Sequence, residues 1–311
     1  AFAPAEKIIN RVLKKNPGSS DAIQSAAKIY KETERPAELA EMLEAEVFCG
    51  NPSEQVIREL IDCDLKLGRT EEAFEVSELL LAKPGTTIDD RIRHAQIAAK
   101  NGKKGISRKV LSHLLEKAPE NGNVLCASGE LFQEEGKLDQ AVEVYTKAAD
   151  LEGANEVPWM RLSEIQAEQG NQAQALETLK KGLIAIPANR IIRARLAELL
   201  LAQGSLADAI SILKDLRQES VDIDSSLLLL KAMKQVNDEE LDDLVTQVYE
   251  DFPDNSQIAH EYADLQLRFG NYKEASKLMK AIIAQNKAES NWADTYADAV
   301  AGLDPRFSKN A

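Results

Sequence analysis

The sequence predicts an all-helical solenoid built from one short, repeated helical hairpin, and three spacings predict it. Gly68, Gly102, Gly136, Gly170 and Gly204 follow one another at 34-residue intervals, and Gly270 rejoins the series after a two-residue deletion. Pro17, Pro119, Pro187 and Pro253 recur at a second fixed phase, with Pro52 and Pro84 one residue away. Small residues stand five after the glycines, as Ala73, Ser107, Ala141, Ala175, Ala209 and Ala275. A repeat this short, carrying two helical patterns, cannot bury its own apolar face, so it must stack on its neighbours.

Each mark has a local cause. Glycine accepts the left-handed conformation that closes a first helix, and proline, lacking an amide donor, ends a second one. A short side chain five residues after the glycine lets the paired helices approach closely. In chain order, residues 1–19 hold a second-type helix without a partner, from Phe2 to Lys15. Eight full units then start at residues 20, 54, 88, 122, 156, 190, 222 and 256 and run to 289. Residues 290–311 hold a lone capping helix from Ser290 to Ala301, with Trp292, Ala293, Tyr296 and Val300 on one face and Asn291, Asp294 and Asp298 elsewhere, followed by a tail broken at Gly302 and Pro305. Some units depart from the pattern: Glu34 and Val236 replace turn glycines, and Leu39 and Leu241 replace the small residue. Looser or differently angled pairs are expected there. The chain opens without an initiator Met and with an unpartnered helix, so it reads as an excised or processed fragment.

These residues resemble the tetratricopeptide repeat family over essentially the whole chain. The best match is Gly129, Phe132, Gly136, Ala141, Tyr145 and Ala148, followed by Trp159, Leu162, Gly170, Ala175 and Pro187 in the next unit. The resemblance implies a right-handed α-solenoid, a superhelix whose first helices line a concave groove that binds proteins. It does not select a function, because the fold serves many machines.

Composition narrows the classes. The chain has 52 acidic and 38 basic residues, a net charge of -14, and 5 per cent aromatic residues. A pI near 4.9, and a basic island with no interleaved aromatics, disfavour nucleic acid. No apolar run approaches the roughly 20 residues that cross a bilayer, and no signal-like start is visible, so no membrane insertion is expected. Cys49, Cys63 and Cys126 lack metal-ligand spacing, and free thiols favour a cytoplasmic setting while leaving a periplasmic one open. Catalytic chemistry finds no support. The stretch from His260 to Asp264 begins like a zinc helix but ends in Asp264 instead of a second histidine. The stretch Gly102 to Gly105 lacks the spacing of a phosphate loop, and its glycine belongs to the repeat. No enzyme activity, cofactor or metal is therefore expected.

What remains is surface. By the family resemblance, the second, fifth, ninth and twelfth residues of each unit point into the groove. The ninth residues include Asp62, Glu130, Glu164, Glu198 and Asp264, an acidic row. Val157, Met160, Ile191, Ala194, Leu201, Ile223, Leu230 and Met233 add an apolar strip. Together they fit a partner peptide or helix with apolar anchors and basic flanks. The alternatives are a solvated acidic face and a strip that packs internally. Arg91 to Leu115 carries seven basic residues and no acidic one, and Gln235 to Gln257 carries eight acidic and no basic one. These islands are read as solvated faces or as a head-to-tail contact that makes a homo-oligomer through the repeat ends. Chaperone-type carboxylate clamps are disfavoured, since Asp62, Glu130 and Glu164 stand where lysine, arginine and asparagine are needed. The expected role is a non-catalytic scaffold, of the kind that by resemblance organises bacterial secretion, pili or exopolysaccharide export. The rival is a regulatory or substrate-recruiting module of a larger enzyme.

Overall fold

The computed structural model of the chain describes residues 3–16, 19–49, 52–284 and 292–303, and every regular element among them is an α-helix. The contacts divide the chain into two compact units, Ala1–Pro158 and Trp159–Ala311. The first contains α1 (Ala3–Lys15), α2 (Ser20–Glu32), α3 (Pro36–Cys49), α4 (Glu54–Lys66), α5 (Thr70–Leu81), α6 (Ile88–Lys100), α7 (Lys104–Lys117), α8 (Gly122–Glu134) and α9 (Leu138–Ala149), and α10 (Val157–Glu168) begins at its end. The second continues with α11 (Gln172–Ala185), α12 (Arg190–Ala202), α13 (Leu206–Glu219), α14 (Ile223–Val236), α15 (Leu241–Asp251), α16 (Ser256–Arg268), α17 (Tyr272–Ala284) and α18 (Trp292–Leu303). Consecutive helices from α1 to α9, and from α11 to α18, pack on one another, as expected of an all-α repeat array. No helix among the described residues is long and apolar enough to cross a membrane.

The turns inside the hairpins follow from backbone chemistry. Gly136 takes φ 73°, and its amide donates to the Gln133 carbonyl at 2.9 Å while Lys137 N–H donates to the Phe132 carbonyl at 2.8 Å. Such paired bonds satisfy the last carbonyls of a helix and favour glycine at the left-handed residue. Glu34 makes the same turn with φ 53° despite its side chain. At the other departure the turn slips: Val236 stays helical, and Asn237, with φ 51°, becomes the left-handed residue one position later.

A second set of punctuation lies ahead of the first helices. Ser53, Asn121, Asn189, Asp222 and Asn255 each accept a backbone N–H three residues on, and Thr87 with Asp90 forms a full capping box. These caps satisfy otherwise orphaned helix donors and set where each first helix begins.

Packing explains the small residues. Ala73, Ala141, Ala175, Ala209 and Ala275 are wholly buried. Opposite Tyr145, whose hydroxyl donates to Gln133 Oε1 at 2.7 Å, stands Gly129, where a Cβ atom would lie 2.5 Å from the ring. In the second unit Trp292 of α18 is buried and stacks on His260, ring centroids 4.6 Å apart. Tyr296 packs against the same cluster, while Val300 points outward at 44 per cent exposure instead of joining that face. Asn291 and Pro305, and the side chains of Cys49, Ala293, Asp294 and Asp298, lie outside the described residues.

Candidate protein-binding surface

The first helices carry the candidate residues, and a helix presents residues three and four apart on one face. In the first unit Asp62 of α4 is half-buried and ion-paired with Arg93 of α6. Glu130 of α8 accepts from Gln96 Nε2 at 3.0 Å, and Val157 is half-buried at the start of α10. In the second unit Met160, Ala194 and Leu201 are half-buried and Ile191 is 51 per cent exposed. Glu164 and Glu198 are each held by an arginine on their own helix, Arg161 at 3.0 Å and Arg195 at 2.6 Å. Asp264 of α16 is half-buried and has no ion-pair partner among the described residues. The acidic row is thus largely a ladder of acid and arginine, with the arginines at the sixth residue of their units.

One repeat turns a different face outward. Leu230 and Met233, assigned by counting to the open wall, are 5 and 1 per cent exposed and belong to the packed interior. Ile223 is half-buried. The cause is the cap and turn at the two ends of α14. Asp222 accepts from Ser225 N–H at 2.8 Å, so the helix begins at Ile223, and it closes at Asn237. Both ends stand one residue later than the count from 222, and one residue of an α-helix is a rotation of about 100°. Counted from Ile223, the fifth, ninth and twelfth residues of this repeat are Leu227, half-buried, and Lys231 and Lys234, both exposed. Counting glycines missed them; the cap at Asp222 was the signal in the sequence that marked them.

Beside this repeat lies a pocket of about 740 Å³, with Leu227, Leu230, Leu241 and Val245 among its apolar lining. Leu241 occupies the place filled by alanine or serine in most units and by Leu39 in the first. The α14 and α15 pair packs less closely than the α2 and α3 pair, where Leu39 holds the same place, and Leu241 lines the space left between them. The rim carries Lys231, Lys234, Glu261, Asp264 and Arg268. Lys234 pairs with Glu261 at 2.9 Å and Arg268 pairs with Asp242 at 2.9 Å. Lys231 has no ion pair among the described residues, so it and Asp264 remain uncommitted on opposite helices, α14 and α16.

The side chains that invite a catalytic reading serve structure. His94 is buried, its Nδ1 lies 2.7 Å from Ser77 Oγ, it stacks on Phe74 at 5.1 Å, and burial lowers its pKa. His260 lies 3.0 Å from Thr295 Oγ1 and stacks on Trp292. Gly102 is a repeat turn with φ 72°. Burial raises the Cys63 thiol, which disfavours a reactive thiolate. No group of residues able to hold a metal ion occurs among the described residues.

The charge islands find partners in adjacent repeats. Lys103 meets Glu71 at 2.7 Å and Arg108 meets Glu135 at 2.5 Å, beside the Arg93 to Asp62 pair. In the acidic island Glu240 meets Lys214 at 2.6 Å, Asp242 meets Arg268, and Asp251 pairs with Arg217. Among the described residues, three of the seven basic and three of the eight acidic residues of these islands are ion-paired inside their own unit.

The helical hairpins, their left-handed turns and their small contact residues coincide with a family pattern. The tetratricopeptide repeat model matches residues 132–189, 169–233 and 243–299, together more than half of the 311 residues. The chain belongs to the tetratricopeptide repeat family. Among solved structures it is similar to PilF of Pseudomonas aeruginosa, at 18 per cent identity and TM-score 0.50 over 69 per cent of this chain and 97 per cent of that one. It is also similar to PilW, described as a widely conserved type IV pilus biogenesis factor, at 17 per cent identity and TM-score 0.52 over 67 per cent of this chain and 98 per cent of that one. A chain of the APC/C hetero-tetramer Cut9-Hcn1 aligns at 16 per cent identity and TM-score 0.48 over 96 per cent of this chain, which spans 59 per cent of that chain's length. At such identities the likeness is one of fold. A comparison of the sequence with curated proteins finds no match. Tetratricopeptide repeats are protein-interaction modules, generally without catalysis of their own, and this chain carries them.

Proposed function

We propose that the wall formed by the first helices of the second unit binds a segment of a partner protein through apolar anchors, without catalysis. The observation that carries this reading is the row of apolar side chains on that wall that the packing leaves open: Met160 on α10 and Ile191, Ala194 and Leu201 on α12, with Ile191 half exposed. Apolar side chains left partly open to water are what a docking surface offers and what a solvated face lacks. Glu164 and Glu198 already bond Arg161 and Arg195, so the anchors, more than basic flanks, supply the affinity along this strip. The setting we propose is a bacterial secretion, pilus or exopolysaccharide export assembly, for which PilW supplies a precedent of fold. The test is to crosslink the chain to its partner in the source cells, identify that partner by mass spectrometry, and repeat the capture with Met160→Lys combined with Ile191→Lys. Loss of capture with helicity intact is the expected result, and undiminished capture would refute the proposal.

A further inference from the structure

The pocket beside α14 adds a selectivity that the apolar strip lacks. Its floor is apolar, through Leu227, Leu230, Leu241 and Val245, and its volume of about 740 Å³ falls in the range of roughly 300–1,000 Å³ typical of built ligand sites. On its rim two ion pairs are already made, Lys234 with Glu261 and Arg268 with Asp242. The two charges left over are opposite in sign and stand on different helices, Lys231 on α14 and Asp264 on α16. An occupant that fills the floor and leaves both charges unanswered would desolvate them at a cost; one that answers both gains register and direction.

We propose that this pocket takes an apolar anchor residue of a partner segment flanked by an acidic residue toward Lys231 and a basic residue toward Asp264. The inference rests on the first-helix wall being the binding surface, and it names the chemistry that the wall selects and the direction in which the segment runs. The irregular repeat is then a specificity element: Leu241 lines the floor beside the loosely packed α14 and α15 pair, and the slipped register brings Lys231 to the rim.

A phage-displayed library of random short peptides, selected on the full chain, provides the probe. Enriched peptides are expected to share an aliphatic or aromatic anchor with an acid on one side and a base on the other. Their synthetic versions should bind Leu227→Glu at least about tenfold more weakly, as for loss of a buried anchor. Lys231 is exposed, so Lys231→Glu leaves the fold alone; it should weaken binding about three- to tenfold, less so at high salt, and changing the peptide's acid to lysine should restore it. Failure to enrich apolar-anchored peptides, or equal binding to wild type, Leu227→Glu and Lys231→Glu, would overturn the inference. Two further outcomes separate it from the broader reading. Binding lost in Met160→Lys with Ile191→Lys but unchanged in Lys231→Glu removes the pocket and keeps the strip. The reverse keeps the pocket and removes the strip.

Discussion

Asp64 offers the sharpest test of how this array is held together. It lies on α4 at 1 per cent exposure, and neither carboxylate oxygen has a hydrogen-bond partner. The nearest cation, Arg69 Nη1, is 3.8 Å away and also bridges Glu44 at 3.2 Å. Burial, helped by the negative Glu44, pushes the Asp64 pKa from 3.8 to about 6. A carboxyl whose folded pKa lies above its unfolded value binds its proton more tightly in the native state. Its penalty is therefore absent below pH 4, grows between pH 4 and 6, and is complete above 6. The displacement of about two pKa units, at 1.36 kcal/mol each, makes that penalty about 3 kcal/mol at neutral pH. Asp64→Asn removes the charge but leaves a buried amide short of partners, so a gain of about 1–3 kcal/mol at pH 7 is expected. The assay is urea unfolding of wild type and variant from pH 4 to 7, with amide exchange in α4 and α5 as a local readout. The difference between the two proteins should open from near zero at pH 4 to its full size at pH 7. A difference that is flat with pH, or a variant less stable at pH 7, would show that Asp64 is solvated or paired in solution.

Asp90 is the counter-case: two hydrogen bonds from Arg58 at 2.8 Å, and the Thr87 cap, hold its pKa down to about 2. Its stabilisation is present above pH 4 and lost as pH falls toward 2, so Arg58→Ala should cost about 3 kcal/mol at pH 7 and move acid unfolding to higher pH, read by circular dichroism. Gly129→Ala puts a Cβ 2.5 Å from the Tyr145 ring and should lower stability by about 1–3 kcal/mol in thermal melts; a neutral result would mean α8 and α9 separate freely. Ala188 sits at φ 61°, a conformation that costs an L-residue about 1–2 kcal/mol, so Ala188→Gly should stabilise by about 0.5–1 kcal/mol after the entropy of the freer unfolded chain is deducted, measured by the urea midpoint.

The hairpins were legible in the sequence because their marks act locally. Gly136 needs no tertiary context to favour a left-handed turn, and Ala141 in a helix contact is small wherever it stands. The candidate surface was only half legible, because a wall position depends on the rotation of its helix. In the units where the glycine period is intact, Ile191 is exposed and Met160 half-buried. Leu230 and Met233 are buried, because the period breaks at Val236 and α14 is rotated by one residue. Charge pairing across repeats is legible too: Asp62 belongs to the acidic row, and its partner Arg93 is the sixth residue of the next unit.

That slip in register bears on function as well as on reading. In a solenoid the wall is a sum of similar faces, so a regular array offers a partner many equivalent seats and little to choose between them. Selectivity arises where one face differs. Here the difference lies in the slipped turn, where Val236 stands in the glycine's place and Asn237 takes the left-handed conformation, and in Leu241, which lines the space beside the loosely packed α14 and α15 pair. Together they bring Lys231 to the rim of an apolar floor. Reversing them therefore discriminates between an accident and a site. Leu241→Ala should tighten the α14 and α15 pair and raise stability, while the pocket narrows and the enriched peptides bind more weakly. A variant that is both more stable and an equally good binder would mean that the irregularity is only a packing defect.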